Sequence, residues 1–366
     1  MNDIELLQQI EPTIERAYQE HTEIGTGVDM RIRDPIDPLE LLGRASSTND
    51  NDPHVHGPVL RESYTEFASD FAEMTNVDLR PTTAASYLVN TLTEDNLPYY
   101  TWLNMNLSTF SPALRDFART WVAEEHPHGV SMRDLALHTT LIAPGGTIEP
   151  RVYHEGLVQQ LKTGTEIAPP TIYNALAYLS LQEYLTQEAH TEVGWLVDPM
   201  SRIVLRTIAG DEVRHYNFYR KLSQAALEVE PDQTMVGMAE EYKRFQMPGR
   251  IGIPEFDINS LTIAVSGIFD LATIVRSQRH VADKLGIANV QATTDQGKKA
   301  QQFILKWTSD RRIEREVAKM ESLRDMAMEN VEPGELLPFI LGRTIEFTQQ
   351  GAPGHERRIG LQAIAS

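Results

Sequence analysis

The sequence predicts an all-α protein, a helical bundle with additional packed helices. Long segments carry apolar residues at the spacing of an α-helix, whereas few segments alternate in the manner of a strand. Pro and Gly concentrate in the breaks between these segments, for example at Pro144-Gly145-Gly146 and Pro169-Pro170. Long periodic segments joined by short connections are typical of a bundle.

Eight segments carry the helical pattern, and they define the predicted elements: 3–21, 59–75, 80–107, 111–141, 170–197, 199–228, 258–285 and 294–328. After the first of them, residues 22–57 are rich in Asp, Pro, Gly and Asn, which predicts an extended segment lying over the bundle. Residues 351–366 are predicted to form a loose tail. We therefore expect one domain over 1–366, with the main bundle at 58–256 and the additional helices at 257–350.

The composition is that of a globular protein, with 41% hydrophobic and 23% charged residues. The formal net charge of −19 argues against nucleic-acid binding, because phosphate contacts need clustered Lys and Arg. Cysteine is absent, which excludes disulfides, thiolate catalysis, Cys-ligated zinc and a resident iron–sulfur cluster. Any redox chemistry in this protein would need electrons from an outside donor.

Neither the N-terminus nor the longest apolar segment indicates export or membrane insertion. The acidic N-terminus (MNDIE) lacks the basic start and apolar run of a secretory signal, so a cytoplasmic location is predicted. The longest apolar segment, 261–275, is interrupted by polar residues and is shorter than the roughly 20 residues that a membrane span needs. We expect it to be a buried helix, and we expect no membrane span.

Two short stretches align with each other as acid, Glu, any, any, His. They are Glu124-Glu125-His126-Pro127-His128 and Asp211-Glu212-Val213-Arg214-His215. On an α-helix, positions i and i+3 lie on one face, about 5–6 Å apart at Cβ, so each stretch can offer a carboxylate and an imidazole to one metal ion. The alignment selects Glu125 rather than Glu124. A single Glu-x-x-His, by contrast, usually marks a solvated helix face.

Each pair is preceded by an acidic residue in an apolar or aromatic helix, Glu94 before the first and Glu183 before the second. The spacings nearly repeat, because 125 − 94 is 31 and 212 − 183 is 29. Four buried carboxylates repel one another and are costly to desolvate, so a compact pair of divalent ions is the expected compensation. The alternative is a set of acids on exposed helix faces, paired with nearby Arg.

A Glu from each of two helices and a Glu-x-x-His from each of two others is the ligand pattern of ferritin-like di-iron and di-manganese proteins. Oxygen and nitrogen ligands without a thiolate suit iron or manganese. The sequence therefore predicts a ferritin-like bundle around a two-metal site, with iron as the preferred metal. Its predicted ligands are Glu94, Glu125, His128, Glu183, Glu212 and His215.

Four neighbours at helical spacing extend the predicted site. Thr186 and His190 lie three and seven residues past Glu183, near its face. The hydroxyl of Thr186 either serves the metal centre or bonds its own helix backbone, and His190 is either part of the site or a structural histidine. Glu124 and Asp211 precede the ligand glutamates, and they either orient the ligand imidazoles as acceptors or are exposed helix charges.

Several stretches resemble one family, the soluble acyl-acyl carrier protein desaturases of plants and actinobacteria. Its ligand helices are similar to 92–98 (LTEDNLP), 121–129 (WVAEEHPHG) and 211–215 (DEVRH), and 245–256 resembles the actinobacterial members. The similarity is clearest over 60–260. The resemblance implies a homodimeric di-iron enzyme that uses O2 and two electrons from a ferredoxin-like donor. The implied reaction desaturates a fatty acyl chain held on acyl carrier protein.

Position by position, the resemblance implies that the six Glu and His residues are iron ligands and that Thr186 stands at the family's oxygen-activating Thr. Leu103, Asn106 and Leu107 match positions that line the acyl pocket, although ordinary helix packing explains their spacing equally well. Acyl carrier proteins and ferredoxins are acidic, so a local basic patch is expected on this acidic chain. Its candidates are Arg214, Arg220, Lys221, Lys243, Arg244 and Arg250.

Three features depart from the family pattern. Pro127 lies between Glu125 and His128, where its missing N–H and its ring predict a bulge or a rotation of His128. Val213 replaces a Lys of the family's docking edge, and residues 22–57 contain no aromatic residue where the family has a Trp implicated in electron transfer. Two other functions stay open: hydroxylation or oxidation of another carrier-bound substrate, and non-catalytic iron binding by a ferritin-like protein.

Overall fold

The computed structural model describes residues 1–24, 81–94, 111–138, 171–194, 199–245 and 268–307, with a few positions between and beyond them. All regular structure in these ranges is helical, which confirms the all-α prediction there. The helices are α1 Asp3–Ile24, α2 Pro81–Glu94, α3 Pro112–His138, α4 Ile172–Gly194, α5 Pro199–Val229, α6 Pro231–Arg244, α7 Leu271–Lys284 and α8 Asp295–Trp307, with a 3₁₀ turn at Ile287–Asn289. None of these helices is both long enough and apolar enough to cross a bilayer.

Two differences from the predicted elements have local causes. Helix α6 was not predicted, although Pro231 suits the first helical turn and Met235, Met238 and Tyr242 repeat at helical spacing. The predicted segment 258–285 is not one continuous helix, because residues 268–270 are non-helical and α7 begins after Asp270. The Asp270 carboxylate accepts the Thr273 N–H at 2.9 Å and so caps the new helix.

Helices α2 to α5 form the bundle that holds the predicted ligands. Helix α2 packs on α3 and α4, α3 packs on α5, and α4 runs along α5. Two buried hydrogen bonds join neighbouring helices: the Tyr87 hydroxyl donates to the Met132 carbonyl at 3.0 Å, and the hydroxyls of Ser180 and Ser223 are 2.9 Å apart. Helix α4 is buried on almost every face, so it is the central helix among those described.

The remaining helices cover two sides of this bundle. Helix α1 packs on α3 and α5, and its Leu6, Ile10 and Ile14 join a core with Phe117 and Leu222. Helices α6, α7 and α8 form a second core on the other side, against α4 and α5. The predictions for 59–75, 351–366 and most of 22–57 lie outside the described residues, except that 22–24 continue α1.

We expect Gly237→Ala to lower the free energy of unfolding by about 1–3 kcal/mol, since overpacking forces helices apart. A Cβ on Gly237 would lie 2.9 Å from the carbonyl carbon of Tyr173, in the tight contact between α6 and α4. Urea unfolding measures the change. The control is Gly210→Ala on α5, where nothing lies within 4 Å of the new Cβ. That variant should gain up to about 1 kcal/mol, because Ala favours a helix over Gly; equal effects at the two positions would contradict the close-packing explanation.

Candidate metal centre

The bundle brings all six predicted ligands into one buried cluster. Each is less than 9% exposed, and Glu183 and His215 are completely inaccessible. Helix α2 contributes its last residue, α3 and α5 each contribute a Glu-x-x-His pair, and α4 contributes Glu183. Their ligand atoms form two overlapping groups within which all atoms lie within 4.8 Å of one another: Glu94, Glu125, His128 and Glu212 in one, and Glu125, Glu183, Glu212 and His215 in the other.

Glu125 and Glu212 belong to both groups. The Nδ1 atom of His128 is 3.1 Å from Glu125 Oε2 and 3.4 Å from Glu212 Oε1. The Nδ1 atom of His215 is 2.9 Å from Glu125 Oε1 and 3.3 Å from Glu212 Oε2. Each of these carboxylates thus turns one oxygen toward each imidazole, which is the geometry of a bridging ligand. Glu94 and Glu183 each belong to a single group, as terminal ligands would.

The acid that precedes each ligand Glu contacts the imidazole of the other motif. The Nε2 atom of His215 is 2.9 Å from Glu124 Oε2, and the Nε2 atom of His128 is 3.1 Å from Asp211 Oδ2. A carboxylate accepts a hydrogen bond, so these contacts place the proton on Nε2 and turn Nδ1 toward the cluster. Arg214 joins the two acids, with Nη1 3.5 Å from Glu124 Oε1 and Nη2 bonded to Asp211 Oδ1.

The terminal carboxylates have buried partners of their own. Glu94 Oε1 is 3.0 Å from His190 Nε2, and the Trp121 indole N–H donates to Glu183 Oε1 at 3.2 Å. Trp121 was missed as a site residue, although it lies four residues before Glu125 and therefore on the same helix face. The second oxygen of Glu183 is buried and has no hydrogen-bond partner within the described part of the chain.

Pro127 does not displace His128 from the cluster, contrary to the expected rotation. Helix α3 runs through Pro127 from Pro112 to His138, and His128 remains 3% exposed with Nδ1 at the cluster. The proline ring lies on the exposed face of α3, as does Ala123, whose carbonyl would have accepted the missing N–H. Water can bond that carbonyl, so the helix tolerates the proline.

The other predicted site residues are only partly within the described ranges. Thr186 is 5% exposed one turn past Glu183, and its hydroxyl accepts a hydrogen bond from Gln182 Nε2 at 2.9 Å. Its role in oxygen activation stays a prediction. Leu103, Asn106 and Leu107, the predicted pocket residues, lie outside the described residues.

In the metal-free protein, four groups of the cluster have raised pKa values and so bind protons more tightly than usual. Burial raises the pKa of Glu94 from 4.5 to about 7, against the hydrogen bond from His190. Burial, and then the charge of Glu212, raise the pKa of Glu183 well above 4.5. Burial alone would lower the pKa of His128 and His215, but the surrounding carboxylates raise it well above 6.5. Divalent ions that bind here would displace these protons, so their affinity should fall as the pH falls.

These residues fit a pair of divalent ions. Four carboxylates and two imidazole nitrogens converge in a buried volume, and among the described residues one buried oxygen of Glu183 has no hydrogen-bond partner. In water-free surroundings such a set is stable only if protons or cations neutralise it. Oxygen and nitrogen donors without a thiolate suit iron or manganese.

We expect Asp211→Asn to weaken metal binding about 10- to 100-fold, because residues that orient a ligand imidazole have effects of this size. The amide keeps an oxygen near His128 Nε2 but loses the charge that holds the ring. Cobalt(II) titration, followed by absorbance, measures the affinity. The matched control is Asp116→Asn, which also breaks an i,i+3 pair with an Arg, at 3.4 Å on the surface of α3. Similar losses in both variants would contradict an orienting role for Asp211.

Fold and site together define a helical-bundle protein with a candidate carboxylate-bridged two-metal centre. Comparison with known sequences identifies the family, because residues 53–332, more than half of the chain, match the family described as fatty acid desaturase. The chain belongs to this family. The family resemblance found in the sequence is therefore confirmed.

Individual relatives are distant in sequence. The provisionally named acyl-[acyl-carrier-protein] desaturase DesA1 of Mycobacterium tuberculosis is 27% identical over 274 residues, 74% of each chain. Stearoyl-[acyl-carrier-protein] 9-desaturase 6 of Arabidopsis thaliana is 28% identical over 65% of this chain and 66% of its own. Palmitoyl-[acyl-carrier-protein] 4-desaturase of Coriandrum sativum is 25% identical over 63% of each chain.

A solved structure is also similar. The X-ray structure of the provisionally named acyl-ACP desaturase DesA2 from Mycobacterium tuberculosis H37Rv aligns with a TM-score of 0.47 and 18% sequence identity. The alignment covers 81% of this chain and 98% of that chain.

Proposed function

We propose that the protein is an O2-dependent desaturase that acts on a fatty acyl chain carried on acyl carrier protein. The observation that carries the proposal is the buried cluster of four carboxylates and two imidazoles in a chain of the fatty acid desaturase family. In this proposal the six residues would hold two iron ions: Glu125 and Glu212 belong to both ligand groups, Glu94 and His128 to one, and Glu183 and His215 to the other.

The chain's own residues would prepare the site for this chemistry. Iron bound there would activate O2, which is the oxidant that removes hydrogen from an unactivated carbon chain. The surrounding helices exclude water, since the six ligands are almost inaccessible. The Gln182 amide holds the Thr186 hydroxyl one turn from Glu183, which is consistent with the oxygen-activating role implied for Thr186.

The electrons would come from outside the chain. One O2, two hydrogens from the acyl chain, two electrons and two protons together yield two waters and one double bond. Without a cysteine in its 366 residues, the protein has no thiol pair and no cysteine-held cluster to supply those electrons. A ferredoxin-like protein is the proposed donor.

The basic patch predicted for the acidic partners is partly engaged within the chain. Arg214 bonds Asp211 and Glu124, Lys221 pairs with Glu20, and Arg244 pairs with Glu241. Lys243 lies over the Phe303 ring at 4.5 Å. The basic patch and its six candidates stay a prediction, and one of them, Arg250, lies outside the described residues. The homodimer and the cytoplasmic location stay predictions.

The proposal names a class of substrate rather than one acyl chain. The Arabidopsis relative is named as a stearoyl 9-desaturase and the coriander relative as a palmitoyl 4-desaturase, at similar identity to this chain. Chain length and double-bond position thus differ, by their names, between two proteins that are both about a quarter identical to this one. They would depend on the pocket that Leu103, Asn106 and Leu107 are predicted to line.

The test is a product assay on iron-loaded protein with ferredoxin, its reductase, NADPH, O2 and a panel of saturated acyl carrier protein thioesters of different lengths. A product lighter by two hydrogens supports the proposal. A product heavier by one oxygen would instead support hydroxylation, and many irons per chain would support iron storage. O2 consumption without an unsaturated product for any chain length would contradict the desaturase assignment. Glu212→Gln, which should not hold iron, is the negative control.

A further inference from the structure

The last turn of α1 carries a histidine that contacts the candidate metal centre from outside the six-residue set. His21 is 4% exposed, and its Nε2 atom lies 2.8 Å from Glu124 Oε2. The same oxygen is 2.9 Å from Nε2 of His215. The two imidazole rings are stacked, with centroids 5.8 Å apart and an interplanar angle of 23°.

Glu124 therefore links two imidazoles through one oxygen. A carboxylate accepts hydrogen bonds, so Nε2 carries the proton in both rings, and Nδ1 of His215 faces Glu125 and Glu212. Glu124 is a long side chain on the partly exposed side of α3, 19% accessible, and its orientation depends on what holds it. His21 holds it from one side, and Arg214 approaches its other oxygen at 3.5 Å.

The two motifs differ in which residue bonds the acid that precedes the ligand Glu. Asp211, which contacts His128, is bonded by Arg214 from its own helix. Glu124, which contacts His215, is bonded by His21, more than a hundred positions away in the sequence. The rings of Phe117 and Phe218 pack nearly perpendicular to the His21 ring, at centroid distances of 5.1 and 6.4 Å. His21 is thus locked in place by packing, as an orienting residue requires.

We infer that His21 is a positioning residue for the metal centre, which couples the docking of α1 to the orientation of His215 through Glu124. This inference rests on the metal centre of the proposed function. It predicts a reciprocal effect, because metal binding and α1 docking are then linked equilibria. Each must change the equilibrium constant of the other by the same factor. An intact α1 strengthens metal binding, and bound metal strengthens the docking of α1.

The first experiment compares cobalt(II) titrations of full-length variants at a temperature where each is folded. We expect His21→Ala to bind cobalt about tenfold more weakly, at the lower end of the range for residues that orient metal ligands, and to shift the ligand-field absorption bands. His21→Gln should recover part of the affinity, since its amide can donate to Glu124.

Two control variants separate positioning from simple loss of stability. Ile14→Ala creates a cavity under α1 at a fully buried position, and Tyr18→Phe removes a hydrogen bond between α1 and Thr120 Oγ1. Among the described residues, the hydrogen-bond and ion-pair partners of Glu124 are His21, His215 and Arg214, and neither Ile14 nor Tyr18 is one of them. Both variants should lower the melting temperature and leave the cobalt affinity and spectrum unchanged.

The second experiment measures hydrogen exchange of α1 amides with and without cobalt. In the unaltered protein, cobalt should slow exchange in α1 by about the same factor by which His21→Ala weakens binding. In His21→Ala this protection of α1 should disappear.

The outcomes are distinguishable. If the unaltered protein does not bind cobalt, both the metal centre and the role of His21 are overturned. If it binds cobalt and His21→Ala binds with the same affinity and spectrum, the role of His21 alone is overturned. An equal loss of affinity in Ile14→Ala, with the α1 amides still protected from exchange, would also overturn it, because α1 packing rather than the His21 hydrogen bond would then be responsible.

Discussion

The Glu125→Gln and Glu212→Gln variants are expected to lose both metal ions, whereas Glu94→Gln and Glu183→Gln should each retain one. The reason is that the carboxylates of Glu125 and Glu212 belong to both ligand groups and face both imidazoles. An amide replaces a charged bridging oxygen by a neutral one, which binds a divalent cation weakly. Metal content per chain should therefore fall from about two to near zero in the first pair and to about one in the second.

Elemental analysis after anaerobic loading and removal of free iron measures these stoichiometries. Glu241→Gln is the matched control, because Glu241 is also a buried glutamate, 7% exposed, but bonds Asn174 and Arg244 away from the cluster. It should keep about two ions per chain. Equal losses from all four cluster variants would contradict the distinction between bridging and terminal ligands.

In the metal-free protein, Glu94→Gln is expected to raise the free energy of unfolding at pH 8 by about 3 kcal/mol. Burial raises the pKa of Glu94 from 4.5 to about 7, and each pKa unit corresponds to 1.36 kcal/mol. The folded state therefore binds this proton more tightly than the unfolded state does. Its contribution to stability is complete at low pH and is lost as the pH rises from about 4.5 to about 7. Glutamine imitates the protonated acid at every pH.

Urea unfolding in the presence of a chelator, at pH 8 and at pH 4, tests this expectation. The advantage of Glu94→Gln should nearly vanish at pH 4, because the unaltered Glu94 is then mostly protonated in both states. Glu192→Gln, an exposed position on α4, should change stability by less than about 0.5 kcal/mol at both pH values. An advantage of Glu94→Gln that does not depend on pH would contradict the proton-based explanation.

With metal bound, the unaltered protein should instead be more stable than the Glu94→Gln variant. A ligand that binds only the folded state stabilises it by about 2.7 kcal/mol at a hundred times its dissociation constant. The unaltered protein gains this stabilisation from two ions, whereas the Glu94 variant keeps one predicted coordination set. The buried carboxylates are thus destabilising without metal and become favourable with it. This trade-off is typical of sites whose charge serves function rather than folding.

Much of the fold could be predicted from the sequence alone. Apolar periodicity identified helices at 3–21, 111–141, 170–197 and 199–228, which the structure places at Asp3–Ile24, Pro112–His138, Ile172–Gly194 and Pro199–Val229. The errors arose where local chemistry overrides periodicity. Asp270 caps a new helix inside an apolar segment, and α6 is a short helix that packs between α4 and α8.

The sequence by itself also determined which residues belong to the candidate centre. Positions i and i+3 share a face of one helix whatever the helix packs against, so two matched Glu-x-x-His pairs and two similarly spaced glutamates were sufficient to predict the set. Tertiary structure decided everything that crosses between helices. It determined which carboxylates face both imidazoles, that Glu124 holds His215 and Asp211 holds His128, and that Trp121 and His21 join the cluster. These contacts depend on the rotation and axial offset of each helix against its neighbour, and spacing along a single chain contains no information about either quantity.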